Sequence, residues 1–319
     1  MCCGKPNDLG KTNSEGRDTI LLTGVQVVLA GGDARQLEVV RRLTELDAAV
    51  TLVGFDTLET PFSGVVKAEW SPDILRDADA LLLPAVGTDD DGSIQAVFSD
   101  QELKLTEAHL SVMPKTCALY AGMAKPYLRK LCEKHHLKLV ELFERDDVAI
   151  YNSIPTAEGA LMMAIQNTDI TIHSSSCIVL GLGRTGLTMA RTLQGLGAKV
   201  KAGVRREESF ARAFEMGFEP FYIPDLARHA GNIDLLFNTI PTMIVTAQVI
   251  AELPLRAVII DLASKPGGTD FRFAEKRGIK ALLAPGLPGI VAPKTAGRII
   301  ANSLTQIILE DKRQRGNAP

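Results

Sequence analysis

A ten-residue segment in the middle of the chain constrains the fold more than any other. Residues 177–186 read CIVLGLGRTG, an apolar run that leads directly into the pattern GxGxxG. A buried strand, a tight turn and a helix in close succession give this pattern in βαβ units that bind a dinucleotide. We expect the turn to bind a pyrophosphate at the helix N-terminus. Its residues are Gly181, Leu182, Gly183, Arg184, Thr185 and Gly186.

The alternation of segments around this turn extends over most of the chain. Short apolar runs alternate with amphipathic stretches, and the complete pattern occurs twice in 319 residues. Parallel strands beneath crossover helices produce this pattern, and domains average roughly 150 residues. We therefore predict an α/β fold of two Rossmann-like doubly wound parallel-sheet domains with an interdomain cleft. The expected division is a mobile tail (1–22), a substrate domain (23–150), a nucleotide-binding domain (151–292) with a linker helix (151–170), and a C-terminal helix (293–319).

Apolar periodicity and the positions of Gly and Pro predict the individual elements. Strands are expected at 25–30, 49–55, 80–84, 117–121, 137–142, 177–180, 199–204, 219–222, 233–238, 258–262 and 280–283. Helices are expected at 33–46, 154–167, 184–196, 207–216, 247–252, 270–276 and 294–309. Pro155 would lie in the first turn of its helix, and residues 284–290 contain too much Gly and Pro for a helix. The apolar face of the last helix needs a partner, either the first domain or a second copy of the chain.

Charge and cysteine content limit the partners and the location of the chain. The net charge of -3 provides no field for nucleic acid or an anionic membrane, and no apolar run approaches the roughly 18 residues of a membrane span. The five cysteines lack metal-ligand spacing and indicate reduced thiols. Residues 1–18 lack the apolar core of a signal peptide, so we expect a cytoplasmic protein. Cys2 and Cys3 are either acylated, reactive or simply exposed thiols.

The strand after the glycine turn predicts which dinucleotide binds. An acidic residue about 20 positions after the glycines would bind the ribose 2′-hydroxyl of NAD. Here the strand over 199–204 is followed by Arg205 and Arg206 instead. Two guanidinium groups suit a 2′-phosphate, so the sequence predicts NADP rather than NAD. The alternatives are that these arginines form a solvated helix start and that the glycine turn binds no nucleotide.

Polar loops follow several of the predicted strands, where ligands of open α/β sheets bind. In the nucleotide domain, we expect cofactor contacts from Thr239, Ile240, Pro241 and Ser264. Lys265 would hold a substrate carboxylate, as would Lys294 with Thr295 beside the 284–290 turn. Ordinary loop chemistry is the alternative for each of these residues.

The first domain offers a second set of candidates. Gly31, Gly32 and Arg35 follow the first strand and are expected to bind a substrate anion, together with Thr88 after the third strand. Asp33 is either an N-cap or a functional carboxylate. The triplet 89–91, three aspartates, is a metal site or a solvated turn, and the second is favoured because adjacent side chains diverge. We predict no metal.

Two resemblances narrow the chemistry. The two-domain architecture is similar to that of 2-hydroxyacid dehydrogenases, but none of the five histidines lies on a predicted cleft loop, which disfavours a His general acid. A more specific set of segments resembles the family of dipicolinate synthase A subunits. These segments, which fall between residues 24 and 309, are 31–36 GGDARQ, 87–90 GTDD, 120–122 YAG, 152–159 NSIPTAEG, 261–271 DLASKPGGTDF and 284–297 APGLPGIVAPKTAG.

The second resemblance implies a function in sporulation. It implies oxidation of a dihydrodipicolinate-type lysine-pathway intermediate to dipicolinic acid in the mother-cell cytoplasm, with NADP⁺ as hydride acceptor. It also implies a flavoprotein-like partner, the B subunit of the synthase. Because aromatisation provides its own driving force, the site needs mainly carboxylate holders and a fixed ring approach.

Catalytic roles follow from this chemistry. Lys265 would hold a carboxylate at the reacting ring, and the proton acceptor would be Asp33, Asp89 or water. We also expect a homo-oligomer. The alternative functions are a non-catalytic NADP-binding regulator or scaffold, and an NADP-linked reductase of another small acid.

Overall fold

Residues 21–59 and 62–316 are described by the structure, a computed structural model, and they contain two six-stranded parallel sheets. The first half comprises β1 (Gln26–Ala30), α1 (Ala34–Glu45), β2 (Ala49–Val53), β3 (Val65–Lys67), β4 (Ala80–Leu82), β5 (Ser93–Ile94), β6 (Leu103–Lys104), α2 (Glu107–Ser111), β7 (Ala118–Ala121), α3 (Pro126–Lys134) and β8 (Lys138–Glu141). The helix α4 (Asp146–Gln166) leads to the second half.

The second half repeats the alternation. It comprises β9 (Ser176–Leu180), α5 (Arg184–Gly195), β10 (Lys199–Val204), α6 (Glu207–Glu215), β11 (Glu219–Tyr222), α7 (Leu226–His229), β12 (Leu235–Asn238), α8 (Ala247–Glu252), β13 (Val258–Asp261), α9 (Phe271–Arg277), β14 (Lys280–Leu283), α10 (Leu287–Val291) and α11 (Pro293–Gly316). Short 3₁₀ turns lie at Pro72–Leu75, Leu142–Glu144, Ile223–Asp225 and Ala230–Asn232.

The strand orders identify the fold. They are β3-β2-β1-β4-β7-β8 in the first sheet and β11-β10-β9-β12-β13-β14 in the second, and every pairing within the two sheets is parallel. Both are the doubly wound order of the Rossmann fold, which reverses direction beside its first strand. The predicted fold class is confirmed. The loops after β1 and β4 meet at the reversal point of the first sheet, and those after β9 and β12 meet at that of the second, where such folds bind ligands.

The start of α4 and the structure of residues 284–290 differ from the sequence prediction. The interdomain helix α4 begins at Asp146, so Pro155 is buried in its interior and not in its first turn. The acidic pair Asp146 and Asp147 starts the helix, because carboxylates stabilise the positive end of the helix dipole. The segment predicted to be a turn forms α10, which Pro288 permits because proline suits a first helical turn.

The C-terminal helix returns to the first domain. In α11, Ile300, Leu304 and Ile308 are buried in the same core cluster as Val40 and Leu43 of α1. The cluster also contains Leu22, which the sequence placed in the tail but which is fully buried. Residues 1–20, including Cys2 and Cys3, lie outside the described part of the chain. Thus α11 covers α1 although it follows the second sheet in the sequence.

Close packing connects the two halves through α10. A Cβ atom at Gly159 of α4 would lie 2.9 Å from the Leu287 Cβ atom of α10, and one at Gly297 of α11 would lie 2.4 Å from the Arg35 carbonyl oxygen. The first turn of α1 therefore meets α10 and the start of α11. Within residues 21–59 and 62–316, no helix is long and apolar enough to cross a membrane.

Candidate functional site

The glycine turn between β9 and α5 has the geometry of a pyrophosphate site. Gly181 has a φ of +85°, which glycine adopts without strain. A Cβ atom at Gly186 would lie only 1.8 Å from the Gly181 carbonyl oxygen, so the helix approaches the strand as closely as this residue allows. At Gly183, the N-cap of α5, a Cβ atom would meet nothing within 4 Å. The backbone is therefore open on the side from which a phosphate approaches, and the turn fits a dinucleotide.

Arg205 and Arg206 directly follow β10, as predicted, and both are exposed. The Nη2 atom of Arg205 donates a hydrogen bond of 3.1 Å to the Thr242 hydroxyl oxygen. The Nε atom of Arg206 lies 3.0 Å from the Glu208 carboxylate. Both guanidinium groups have N–H groups beyond these contacts, so the end of β10 carries two cations available to an anionic group.

The loops after β12 and β13 are held together by a buried carboxylate. Asp261 is fully buried and accepts four hydrogen bonds of 2.7–3.0 Å. The donors are the Asn238 amide, the N–H groups of Ala263 and Gly268, and the Thr269 hydroxyl. Asp261 is not among the site residues predicted from the sequence. A polar residue that ends a buried strand is the signal that would have identified it.

The loops after β12 and β13 also contain the residues predicted to contact the cofactor. The Thr239 hydroxyl donates to the Leu180 carbonyl oxygen at 2.7 Å, and a Cβ atom at Gly181 would lie 2.8 Å from the same hydroxyl oxygen. Thr239 and Ile240 therefore lie against the glycine turn. Ser264 and Lys265 are exposed beyond the carboxyl end of β13, and their roles stay predictions.

The glycines after β1 form a tight turn whose donors are already used. Gly31 and Gly32 have φ values of +66° and +114°. The Gly31 N–H group donates to the Val53 carbonyl oxygen at 2.8 Å, and the Gly32 N–H group donates to the Gln95 carbonyl oxygen at 2.7 Å. Arg35 is therefore the remaining anion-binding group of this predicted segment.

Asp33 is the N-cap of α1. Its carboxylate accepts from the Arg35 backbone N–H group, and the Gln36 side chain accepts from the Asp33 N–H group, which completes a capping box. The same carboxylate binds the Arg35 guanidinium through Nε at 2.9 Å and Nη2 at 2.6 Å. Burial alone would raise the pKa of Asp33, but the hydrogen bonds and charge of Arg35 outweigh burial and lower it. Such a carboxylate is a weak base, which disfavours Asp33 as proton acceptor.

We expect Asp33→Asn to remove the ion pair with Arg35 and to keep the cap of α1, because asparagine is an equally good N-cap. A carboxyl group with a lowered folded-state pKa stabilises the protein above its ordinary value, here 3.8, and this contribution is lost as the pH falls below that value. The variant should therefore unfold at lower urea concentration than the wild type at pH 7, and the difference should disappear in acid. Urea midpoints at several pH values measure this. An equal difference at all pH values would contradict it.

The aspartate triplet after β4 forms ion pairs on the surface. Asp89 binds the Lys125 ammonium group at 2.5 Å, and Asp91 lies 3.6 Å from the Lys104 ammonium group. Hydrogen bonding to Asp89 raises the pKa of Lys125. Lys125 is not among the residues predicted from the sequence, although its position before Pro126 at the start of α3 marks a helix N-terminus. Among the described residues, no group of three or more His, Cys, Asp or Glu side chains is arranged to hold a metal ion.

A cavity of about 420 Å³ lies beside the loop that follows β4. It is lined by Val86, Gly87, Asp89, Ser93, Ile94 and Gln95. Thr88 itself is fully buried, and its hydroxyl has no hydrogen-bond partner among the described residues. The predicted substrate segments after β1 and β4 are thus brought together through Gln95, whose carbonyl oxygen accepts from Gly32.

The interdomain contact brings Arg35 to the second half of the chain. A Cβ atom at Gly289 of α10 would lie 3.0 Å from the Arg35 Cζ atom, so the guanidinium group lies directly against α10. Lys294 and Thr295 are exposed in the first turn of α11, next to Gly297, which packs on the Arg35 backbone. Arg35, Lys294 and Thr295, which are far apart in sequence, therefore lie in one region.

The two sheets, the open glycine turn and the interdomain contact define a two-domain α/β protein of the dehydrogenase type, with the dinucleotide-binding turn in the second domain. Residues 26–143 match the family model for the N-terminal domain of the dipicolinate synthase A subunit, and residues 171–306 match that for the NADPH-binding domain of acetohydroxy acid isomeroreductase. The chain is 50% identical to the dipicolinate synthase A subunit of Bacillus subtilis over 93% of its own length and 100% of that protein. The chain belongs to the family of dipicolinate synthase A subunits, and the resemblance seen in the sequence is confirmed.

Solved structures agree with this assignment. The A subunit from Bacillus halodurans is similar with a TM-score of 0.88 and 53% identity, over 90% of this chain and 99% of that one. The A chain from Bacillus subtilis has a TM-score of 0.89 and 50% identity, over 93% of this chain and 100% of that one. A transhydrogenase from Sinorhizobium meliloti (TM-score 0.65, 17% identity, 88% of this chain and 93% of that one) shares the fold alone.

Proposed function

We propose that this chain is the NADP-dependent subunit of a dipicolinate synthase. It oxidises a dihydrodipicolinate-type intermediate of the lysine pathway to dipicolinic acid during sporulation, in the mother-cell cytoplasm. The observation that carries the proposal is the combination of an open glycine turn, followed by two arginines, with an arginine at the interdomain contact. The names of the two Bacillus relatives support the substrate, and the name of the second family model supports NADP.

The reaction is a two-electron oxidation. The dihydropyridine ring loses a hydride and a proton and becomes aromatic, and NADP⁺, when bound, accepts the hydride. The chain's own task is to hold the ring and to exclude competing orientations. Arg35 and Lys294 lie in one region and can hold a carboxylate there, while Lys265 lies beyond β13.

The proton needs only a modest acceptor. Asp33 is bound by Arg35 and has a lowered pKa, and Asp89 is bound by Lys125. Asp89 lines the cavity beside Gln95, whereas Asp33 caps a helix, so we assign the proton to Asp89 or to a water molecule beside it.

Partners form part of the proposal. The relatives are named as one subunit of a synthase, which implies a second polypeptide, and we take this to be a flavoprotein-like B subunit. A homo-oligomer of the chain is expected as well. Neither partner is needed for the turn or for the Arg35 contact, since both lie within one chain.

The test is the formation of dipicolinate. The purified chain is mixed with freshly generated dihydrodipicolinate synthase product and NADP⁺, with and without the B subunit, and ultraviolet absorbance follows dipicolinate and NADPH. We expect equal amounts of the two products. If the chain binds NADPH but forms no dipicolinate in either mixture, it is a regulator or scaffold, or a reductase of another small acid.

We expect the double substitution Arg205→Ala with Arg206→Ala to reduce NADPH affinity by about 10- to 100-fold, because charge-assisted hydrogen bonds to a phosphate contribute roughly 1.5–3 kcal/mol. NADH affinity should stay nearly constant, since NADH has no 2′-phosphate. Fluorescence titration with both nucleotides measures this change in preference. Arg212→Ala, which removes an exposed arginine paired with Glu215 on α6, is the matched control and should affect neither nucleotide. Equal losses for both nucleotides would contradict the assignment.

A further inference from the structure

The guanidinium group of Arg35 is bound by a carboxylate along one edge and, within the described part of the chain, has free N–H groups along another. Its side chain is only 14% exposed, and its Nε and Nη2 atoms bind the Asp33 carboxylate. Its Nη1 atom has no acceptor among residues 21–59 and 62–316. A guanidinium group bound along its Nε edge leaves the Nη1–Nη2 end available for a second carboxylate.

The position of the guanidinium group depends on the absence of a side chain on the other domain. A Cβ atom at Gly289 would lie 3.0 Å from Cζ, 3.1 Å from Nε and 3.4 Å from Nη1 of Arg35. Gly289 lies in α10 and does not have a positive φ, so neither a turn nor backbone strain requires glycine there. The effect of having glycine at position 289 is to leave the space in which the Arg35 guanidinium group lies.

We propose that Asp33 and Gly289 are positioning residues for a carboxylate subsite formed by the Nη1–Nη2 end of Arg35. The inference rests on the proposed function and deepens it: the ligand is one carboxylate of a planar ring dicarboxylate. Asp33 fixes the plane of the guanidinium group from the first domain, and Gly289 leaves room for it on the second. The subsite is therefore complete only while α10 contacts α1.

This arrangement predicts a specific coupling between three residues. A Cβ atom at residue 289 would lie 3.0 Å from the Arg35 Cζ atom, so alanine there requires the guanidinium group to shift by a few tenths of an ångström. We expect this shift to change the geometry of its hydrogen bonds with the Asp33 carboxylate. Alanine itself favours a helix more than glycine does, so α10 should persist in the variant. Asp33→Asn keeps the N-cap but removes the charge that orients Arg35.

The experiment measures binding of pyridine-2,6-dicarboxylate by isothermal titration, with pyridine as a probe that lacks carboxylates. We expect Asp33→Asn and Gly289→Ala each to weaken dicarboxylate binding about tenfold, the effect of one charge-assisted hydrogen bond, with NADPH affinity unchanged. Gly231→Ala is the matched control, because a Cβ atom there meets nothing within 4 Å. In an Arg35→Lys background, Gly289→Ala should cause no further loss, which a merely structural role of Gly289 would not predict.

The possible outcomes distinguish a failure of the positioning inference from a failure of the proposed function. If the wild type binds the dicarboxylate and both variants bind it equally well, the positioning inference is wrong while the proposed function stands. The same conclusion follows if Gly289→Ala weakens binding as strongly with Lys at 35 as with Arg. If the wild type binds NADPH and neither the dicarboxylate nor any monocarboxylate analogue, both the subsite and the proposed substrate are wrong.

Discussion

Replacing Gly186 by alanine is expected to abolish dinucleotide binding and to lower the free energy of unfolding by about 3 kcal/mol, the upper range for overpacking. The added methyl group would lie 1.8 Å from the Gly181 carbonyl oxygen, so β9 and α5 must separate. This separation displaces the N–H groups at the start of α5 that the pyrophosphate requires. Urea unfolding and NADPH titration measure the two effects.

The same helix provides the control for this substitution. Gly195 ends α5, and a Cβ atom there would meet nothing within 4 Å. Gly195→Ala should therefore keep nucleotide binding and stabilise the protein by roughly 0.5 kcal/mol, because alanine loses less backbone entropy than glycine in a helix. If Gly186→Ala binds NADPH as the wild type does, the turn is not the pyrophosphate site.

Asp261→Ala is expected to have the second large effect, a loss of about 3–5 kcal/mol of unfolding free energy. The substitution leaves four buried donors without their acceptor, on two loops that the carboxylate connects. Nucleotide binding should weaken as well, because Thr239 in the first of these loops contacts the glycine turn. Thermal or urea unfolding and NADPH titration provide the measurement.

An exposed aspartate serves as the comparison. Asp225 forms a surface ion pair with Arg228, and Asp225→Ala should change the free energy of unfolding by less than about 1 kcal/mol. A similar small change for Asp261→Ala would mean that the two loops are held together by packing rather than by this carboxylate.

The sheets were predictable because parallel strands are buried on both faces. Strands such as β12 and β13 are entirely buried, which gives continuous apolar runs, and all eleven predicted strands are present with ends that differ by at most two residues. The short strand β3 was missed because it lies at a sheet edge and is largely exposed, so it carries no such run. The helix α10 was missed because packing of Leu287 on Gly159 outweighs the low helix propensity of its Gly and Pro residues.

The candidate site was predictable only where a local pattern encodes it. The glycine turn and the pair of arginines after β10 are each formed by consecutive residues. Their positions in the fold could therefore be predicted from the spacing of these residues. The contacts of Lys125 with Asp89, of Asp261 with Gly268 and of Gly289 with Arg35 join segments that spacing does not relate. The sequence marks Asp261 as a polar residue at the end of a buried strand and Lys125 as a residue at a helix start, but the partners of these residues depend on the tertiary arrangement.

In the proposed reaction, this chain transfers a hydride from the ring to the nucleotide. The most direct measurement uses a substrate deuterated at every saturated ring carbon, with mass spectrometry of the NADPH formed. We expect one deuterium in each NADPH for each dipicolinate produced, and no reaction with Gly186→Ala. Formation of dipicolinate while the NADPH carries no deuterium, or without any NADPH, would contradict it.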